Sequence, residues 1–467
     1  MKTVGIAILA AGKGTRLKID RAKVLCPALG LTLFEHVARA ALDFAAEAKL
    51  ETSLTAVVGH KREEVMALAR DKFGSAIQFA WQKEQLGTGD ALRSYFRECP
   101  QNEKCDYTFV VCADTPLVRA ETFARLWRAL QATPELVATA GSFVTAKPTG
   151  YGRIIRQGKG FRIVEEKDAT PAERAVTEVN SGFYLVRTAF LLEALKGLST
   201  NNQAGEFYLT DVFTPDAAVA AVTYPDEREF LGVNTLEQLE QATQVLRSRK
   251  LSQLMLSGVT CYDAATTWVD VTAEVAPGAV LYPGVQLYGH TKIGAGVVVE
   301  SGAIIRDSVI EAGAEVLAYS HIDRSHVRTG AQVGPFARLR PQADIGAKAK
   351  VGNFVEIKKS RLDAGAKVSH LSYVGDAEIG AETNIGCGFI TCNYDGRDKH
   401  QSKIGAGVFI GSDVQLIAPI EIGDRAFVAA GSTVSRDVPA DGFAIARAQI
   451  AVKPGMAQRF MKSKKSN

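Results

Sequence analysis

Two stretches of the chain gather residue types suited to phosphate and proton chemistry. The first is Ala10-Ala11-Gly12-Lys13-Gly14-Thr15-Arg16, which follows an apolar run ending at Leu9. Glycines there let backbone N–H groups approach phosphate oxygens, and Lys13 and Arg16 add positive charge. The loop is not a Walker A motif, because position 7 is Ala and Gly14 stands where Ser or Thr is required. Nor is it a full dinucleotide fingerprint, whose third glycine falls on Leu17. Taken alone, it fits either a phosphate cradle or an ordinary strand–turn–helix connection. Lys23 offers a second cation, and Gln82-Lys83-Glu84-Gln85-Leu86-Gly87-Thr88-Gly89 combines amides with a turn able to read a base edge. Asp114 follows the apolar residues 109–112, where a carboxylate suits either Mg²⁺ beside a nucleotide phosphate or a helix cap.

The second stretch crowds Arg338, Arg340, Asn353, Glu356, Lys358, Lys359, His370, Tyr373 and Asn384 into one region. Histidine is the side chain best suited to take a proton near neutral pH, although a single histidine is more often structural. Shortly afterwards comes the polar run Cys392-Asn393-Tyr394-Asp395-Gly396-Arg397-Asp398.

The elements that must position these groups differ between the two halves. Before about residue 224, apolar runs at 5–9, 55–58, 107–111 and 136–140 predict buried strands. Helical patterns at 32–48 and 61–73 lie between them. Such alternation predicts a doubly wound α/β domain, with ligands outside the carboxyl ends of its strands. The loops after Leu9 and Val111 are therefore the expected sites of chemistry. Residues 235–256 read as one long amphipathic helix joining two domains.

Between residues 269 and 434 an aliphatic residue returns every sixth position. One register is Val269, Val275, Leu281, Leu287, Ile293, Val299, Ile305; after slips of one residue come Ile310, Val316, Ile322, then Val327 to Ile357, Leu362 to Val374, and Ile379, Ile385. After an interruption it resumes as Ile404, Ile410, Leu416, Ile422, Val428, Val434. Six fits neither a helix nor a long strand; it is the period of a parallel β-helix whose inward residues stack from coil to coil. Glycine and small residues are expected at its corners. The β-helix is either a bare scaffold or a binding surface, and insertions such as 392–398 often line the binding face of a solenoid. The expected organisation is thus 1–232, a helix at 233–256, a β-helix at 257–450, and a basic tail at 451–467.

Composition bounds the function. The 467 residues are 46% hydrophobic and 23% charged, with a formal charge of +4, which argues against a nucleic-acid binder. Lys462, Lys464 and Lys465 read as a solvated tail. Seven cysteines without a C-x-x-C pair suit a reducing compartment, hence the cytoplasm, rather than a disulfide framework or zinc site. No apolar run approaches the roughly 20 residues of a membrane span.

The N-terminal residues resemble the sugar-phosphate nucleotidylyltransferases. Leu9 to Arg16 followed by Lys23 matches their opening signature, and five further motifs occur in order: Thr149-Gly150-Tyr151-Gly152-Arg153, Val164-Glu165-Glu166-Lys167-Asp168, Val179-Asn180-Ser181-Gly182, Gly205-Glu206-Phe207-Tyr208-Leu209-Thr210-Asp211 and Gly232-Val233-Asn234. With the hexapeptide repeats behind them, the chain from about residue 6 to 447 resembles the bacterial bifunctional N-acetylglucosamine-1-phosphate uridylyltransferase/glucosamine-1-phosphate N-acetyltransferase family. That resemblance implies a Rossmann-like nucleotidylyltransferase domain followed by a left-handed parallel β-helix.

It also implies roles. Arg16 and Lys23 are expected to contact phosphates; Leu9, Ala10, Gly12, Gly14, Gln82, Gly87 and Thr88 to hold the nucleotide; Asp114 and Asn234 to bind Mg²⁺; and Gly152, Glu165, Asn180 and Thr210 to position the sugar. In the β-helix, Gly352-Asn353-Phe354-Val355-Glu356-Ile357-Lys358-Lys359 and His370-Leu371-Ser372-Tyr373-Val374-Gly375-Asp376 match the family's acetyltransferase domain. His370 is expected to be the general base, oriented or charge-balanced by Glu356. Arg340, Lys358, Tyr373, Asn384 and Asn393 are expected on the sugar phosphate. Cys387, Ser412, Ala430 and Arg447 are expected along coenzyme A, with Tyr394 close to the acetyl group of acetyl-CoA. A homotrimer with sites between β-helices is implied as well. The chain departs from the family pattern at Ala22, where proline is usual, and at Cys26, Cys112, Ala113, Cys387 and Phe389.

Overall fold

The computed structural model describes residues 2–158 and 160–461, so Lys462, Lys464 and Lys465 lie outside the described residues. The chain forms two compact units, Met1–Ser248 and Arg249–Asn467, and the division falls inside the helix Leu236–Leu256.

The first unit is built on a twisted mixed sheet. Its main path runs Val219–Tyr224, Ala138–Val144, Glu178–Arg187, Tyr107–Cys112, Thr3–Ala10, Glu51–Val58, Ile77–Trp81. Thr3–Ala10 is central and pairs in parallel with both Glu51–Val58 and Tyr107–Cys112. Glu178–Arg187 enters antiparallel between Tyr107–Cys112 and Ala138–Val144. The central strands are apolar on both faces because both are covered; Ile6, Ala7 and Ile8 are all fully buried, as are Phe109 and Val110.

One predicted strand is displaced. The run 136–140 predicts a strand there, yet the strand is Ala138–Val144. The Leu136 carbonyl instead accepts from Arg187 Nε at 2.8 Å, and pairing continues through Gly141 and Ser142, which lack the apolar signature. Polar ends hide boundaries elsewhere too: Glu51-Thr52-Ser53 extends the predicted 55–58 strand by pairing with Thr3–Gly5.

The second unit is a left-handed parallel β-helix of three sheets with 11, 10 and 9 strands. Successive coils are in register: Val269 pairs with Leu287, Leu287 with Ile305, Ile305 with Ile322 and Ile322 with Leu339. The inward columns are almost wholly buried and form one continuous core. Leu251 and Leu254 of the long helix join this core. The interruption in the six-residue rhythm combines a polar inward position with extra residues: Ile379 pairs with Ile404, 25 positions on, and the surplus is extruded as a loop. Thr391 takes the inward position, between Val374 below and Leu416 above, and is 1% exposed. Its Oγ1 accepts from Gly375 N at 2.8 Å and donates to Gly375 O at 3.1 Å, so the polar core position is satisfied.

Corners also differ from expectation. Many left-handed corner positions are not glycine; one edge carries Tyr319, Phe336, Phe354 and Leu371, all with positive φ. The three rings stack in parallel, with centroids 5.3 and 5.4 Å apart, and remain exposed. The mutual stacking of large rings offsets the cost of about 1–2 kcal/mol that the left-handed backbone imposes on a residue with a Cβ.

Candidate functional sites

In the first unit the glycine loop leaves the carboxyl end of Thr3–Ala10, and Asp114 follows the adjacent strand Tyr107–Cys112. A backbone bond from Ala113 N to Leu9 O, 3.0 Å, ties these two strand ends together. Another, Val233 N to Asp114 O at 2.9 Å, brings the remote Gly232-Val233-Asn234 segment alongside. The result is a convergence of groups far apart in sequence. Lys23 Nζ is bonded to Asp114 Oδ2 and donates to Asn234 Oδ1 at 3.1 Å. Gly14 makes this possible: it is left-handed, φ 61°, and a Cβ there would lie 2.7 Å from Lys23 Cβ. Ala22, just before Lys23, already has a φ of −58°, within the range proline adopts. A cavity of about 330 Å³ opens beside this cluster, lined among others by Arg16, Asp114, Gly150, Tyr151 and Asn234.

Cys112 lines the same cavity. Burial and the nearby Asp114 charge push its thiol up to about 12, so it presents a neutral wall at physiological pH. Ala113 is fully buried, and its methyl group does not enter the cavity.

The residues expected around the sugar also meet. Thr210 Oγ1 donates to Glu165 Oε1 at 3.2 Å, and Asn180 N donates to Gly152 O at 2.8 Å. A Cβ on Gly152 would sit 3.4 Å from Glu165 Oε1, so this glycine lies directly against the carboxylate. Burial raises the Glu165 pKa, against the opposing Thr210 bond. Asn180 Nδ2 donates to the buried Tyr184 hydroxyl at 2.7 Å, a support not evident from sequence.

Gln82, Gly87 and Thr88 form a braced turn. Gln82 is buried; its amide donates to Gly87 O at 3.0 Å and Asp90 Oδ2 at 2.9 Å. Thr88 Oγ1 accepts from Leu209 N at 3.1 Å. Gly87 needs its positive φ of 110°, and a Cβ would collide with Phe207 O at 2.5 Å. Gln82 thus holds the turn with its amide hydrogens, leaving its carbonyl oxygen for other contacts.

In the second unit, His370 and Asn353 are paired strand neighbours one coil apart, and His370 Nδ1 lies 3.2 Å from Asn353 Oδ1. Glu356, expected to orient His370, is held otherwise: Arg340 Nη1 lies 2.9 Å away and Arg338 Nη1 3.8 Å. The partner of the imidazole within the chain is therefore Asn353. Arg340, Lys358 and Tyr373 share one face of the prism, whereas Asn384 lies on another, in register with Lys367 and Phe409. Lys399 crowds Lys358 and lowers its pKa, so two ammonium groups meet at this point. Such a cluster attracts an anion.

The extruded loop is anchored at its base. Asn393 is buried, and its Nδ2 donates to Asp376 Oδ2 at 2.6 Å; Asp376 also lies 3.6 Å from Lys359 Nζ. Tyr394 is exposed, and its hydroxyl donates to Gly396 O at 2.8 Å. Cys387, Ser412 and Ala430 line one edge on successive coils, linked by Asp413 N to Cys387 O at 2.7 Å and Gly431 N to Ser412 O at 2.8 Å. Arg447 follows, its Cδ 3.6 Å from where a Gly431 Cβ would be. Phe389 is fully buried in the core, so this departure from the family pattern fills the interior and leaves that edge unchanged.

Asp376, Lys399, Tyr184 and Gln238 were not among the site residues read from sequence, and Asn353 stood in the polar cluster without a role. A signal for the β-helix pairs exists: coil neighbours lie 17 or 18 residues apart, as do Asn353 and His370 or Asp376 and Asn393.

An α/β unit with its glycine loop, lysine and aspartate at neighbouring strand ends, joined to a hexapeptide prism bearing a histidine and clustered cations, defines a nucleotidyltransferase fused to a hexapeptide transferase. Residues 6–177 match the family model for the MobA-like NTP transferase domain, and 401–436 match the bacterial transferase hexapeptide (six repeats). The bifunctional protein GlmU of Anaeromyxobacter sp. (strain Fw109-5) is 47% identical over 458 residues, covering 97% of this chain and 92% of the relative. That of Sorangium cellulosum (strain So ce56) is 43% identical over 461 residues, covering 97% and 96%. The chain belongs to the family of bifunctional GlmU proteins. Among the described residues, no helix is long and apolar enough to cross a membrane.

Proposed function

We propose that the chain makes UDP-N-acetylglucosamine in two steps at two sites. The second unit transfers acetyl from acetyl-CoA to the amine of glucosamine 1-phosphate. The first unit then transfers uridylyl from UTP to N-acetylglucosamine 1-phosphate, releasing pyrophosphate. The observation that carries this reading is that both halves retain a polar cluster of the expected kind: Lys23 with Asp114 and Asn234 beside Arg16, and His370 with Asn353 on a coil next to Arg340, Lys358 and Lys399.

In uridylyl transfer, an oxygen of the sugar phosphate attacks the α-phosphorus in line as the bond to pyrophosphate breaks. The nucleophile is already anionic, so positioning and charge neutralisation carry the rate. Arg16 and Lys23 supply cations, while Glu165, Thr210 and Asn180 orient the sugar. Asp114 Oδ2 and Asn234 Oδ1 face one common cation, the Lys23 ammonium, which fits a hard-cation site of two protein oxygens. Among the described residues no group of three or more His, Cys, Asp and Glu is placed to hold an ion, so phosphates and water would complete the shell. When bound there, Mg²⁺ supplies charge neutralisation at the phosphates.

In acetyl transfer, the amine nitrogen attacks the thioester carbonyl. A C–N bond forms, the C–S bond breaks, His370 takes the amine proton, and coenzyme A leaves as the thiol after protonation. With Asn353 Oδ1 toward the ring, Nδ1 carries the hydrogen and Nε2 is the accepting atom. The split between Asn384 and the Arg340–Lys358–Tyr373 face supports a site completed by another copy, and the exposed stack of Tyr319, Phe336 and Phe354 supports self-association as a homotrimer.

The test is a product assay with glucosamine 1-phosphate, acetyl-CoA, UTP and Mg²⁺, omitting one at a time. UDP-N-acetylglucosamine should require all four. Product formed only when N-acetylglucosamine 1-phosphate is supplied would leave the β-helix a scaffold. Sedimentation as a trimer is expected; a monomer at assay concentration contradicts the shared site.

A further inference from the structure

We propose that Lys23 is a built-in cation of the uridylyltransferase site, seated between the two oxygens expected to hold the metal, so that metal entry must displace its ammonium toward the phosphates. This deepens the uridylyltransferase reading and rests on it. Lys23 Nζ is bonded to Asp114 Oδ2 and lies 3.1 Å from Asn234 Oδ1. The Lys23 and Asp114 side chains are only 12% and 19% exposed, so solvent screens the pair weakly.

The surroundings determine which part can move. Gly14 packs against Lys23 Cβ, which fixes the root of the side chain and leaves its flexible end free to swing. The backbones that carry the two oxygens are held independently of the lysine. Gln238 Oε1 accepts from Asn234 N at 2.8 Å, and Val233 N donates to Asp114 O at 2.9 Å. The two residues therefore stay side by side after the ammonium leaves, with both oxygens in reach of one cation. A metal and an ammonium in contact with the same two oxygens repel each other strongly at such range. Without nucleotide, Lys23 competes with the metal. With nucleotide, the displaced ammonium gains a phosphate partner in the adjoining cavity, where Arg16 also stands. Metal and nucleotide thus bind cooperatively, each tightening the other by the same factor.

The experiment measures Mn²⁺ binding to the full chain by electron paramagnetic resonance, without turnover. Without nucleotide, Lys23→Met should bind Mn²⁺ at least about tenfold tighter than the unaltered chain, a change of about 1.4 kcal/mol. Lys23→Arg, which keeps the charge, should stay within about threefold of the unaltered chain. Adding UTP supplies phosphate ligands in both backgrounds, so it should tighten Mn²⁺ binding in each, but by at least about threefold more in the unaltered chain than in Lys23→Met. Lys23→Gln provides the same comparison should the methionine variant not fold, with an unchanged thermal unfolding transition of the first unit as the folding control. Unchanged or weaker Mn²⁺ binding by the neutral variants overturns the displacement while leaving the metal site standing. Asp114→Asn should abolish binding in every background; if it does not, the metal placement is wrong and the displacement falls with it.

Discussion

Replacing Thr391 by valine should loosen the coil that carries Tyr373 and Gly375. Valine nearly matches threonine in shape, so packing between Val374 and Leu416 is kept. What disappears is the hydroxyl that serves both Gly375 N, at 2.8 Å, and Gly375 O, at 3.1 Å. The position is buried, so no water takes over easily. Stranding a buried N–H costs about 1–3 kcal/mol. The added methyl group returns up to ~0.8 kcal/mol. From the middle of that range a net loss of about 1 kcal/mol remains, which corresponds to about fivefold faster exchange of the Gly375 amide. Site-resolved hydrogen exchange reads this directly, and Thr391→Ser should stay near the unaltered rate. The proposed acetyltransferase site should respond too, with a higher KM for glucosamine 1-phosphate, because a Cβ position on Gly375 lies 2.4 Å from the Tyr373 hydroxyl and 2.9 Å from Asn393 Nδ2. Uridylyl transfer should be unaffected. Gly375 exchange within twofold of the unaltered chain, in a folded valine variant, would refute the reasoning.

Other perturbations have equally definite outcomes. Ala22→Pro should stabilise the first unit by about 0.4–1 kcal/mol, since φ is already −58° and only a long 3.5 Å contact from Ala22 N to Glu64 is lost; a lower unfolding midpoint contradicts this. Burial raises the Glu165 pKa, so its ionisation opposes folding: the penalty is absent below the unfolded carboxyl range near about 4.3 and complete above the folded pKa. Glu165→Gln should therefore raise the melting temperature of the first unit at pH 7 but not at pH 4, while weakening sugar-phosphate binding; a pH-independent shift argues against the burial account. Asn353→Ala should lower kcat of acetyl transfer about tenfold and alter its pH profile by freeing the His370 ring; a changed KM alone would show that Asn353 does not act through the imidazole.

The β-helix was legible because one period encodes one geometry. Inward aliphatic positions repeat every six residues, and the slips of one residue correspond to 17-residue rather than 18-residue coils, as between Ile305 and Ile322. Thr391 was invisible to that pattern, since its inward position depends on a hydroxyl serving a glycine a coil away. The expectation that Glu356 orients His370 followed a motif match. Direct side-chain contacts in a prism follow coil spacing, and Asn353, which touches the His370 ring, stands 17 residues before it. In the first unit the loop, Lys23 and Asp114 stood out as types, but their convergence with Asn234 depends on backbone bonds between strands far apart in sequence, which no local pattern carries. The large residues at left-handed corners, such as Phe336 and Phe354, contradict local preference because contact between coils overrides it.

The extruded loop has a consequence for how this molecule can change over time. Across it, all three columns advance by the same 25 positions: Ile379 pairs with Ile404, Ile385 with Ile410, and Thr391 with Leu416. The excess over an ordinary coil is absorbed at a single corner, and the coils above resume their register. Lengthening, shortening or replacing the segment around Tyr394 and Asp395 therefore leaves the rest of the prism indifferent, provided Asn393 keeps its grip on Asp376. The loop is a detachable module on a fixed chassis, a place where foreign recognition sequences can be grafted without disturbing the coils.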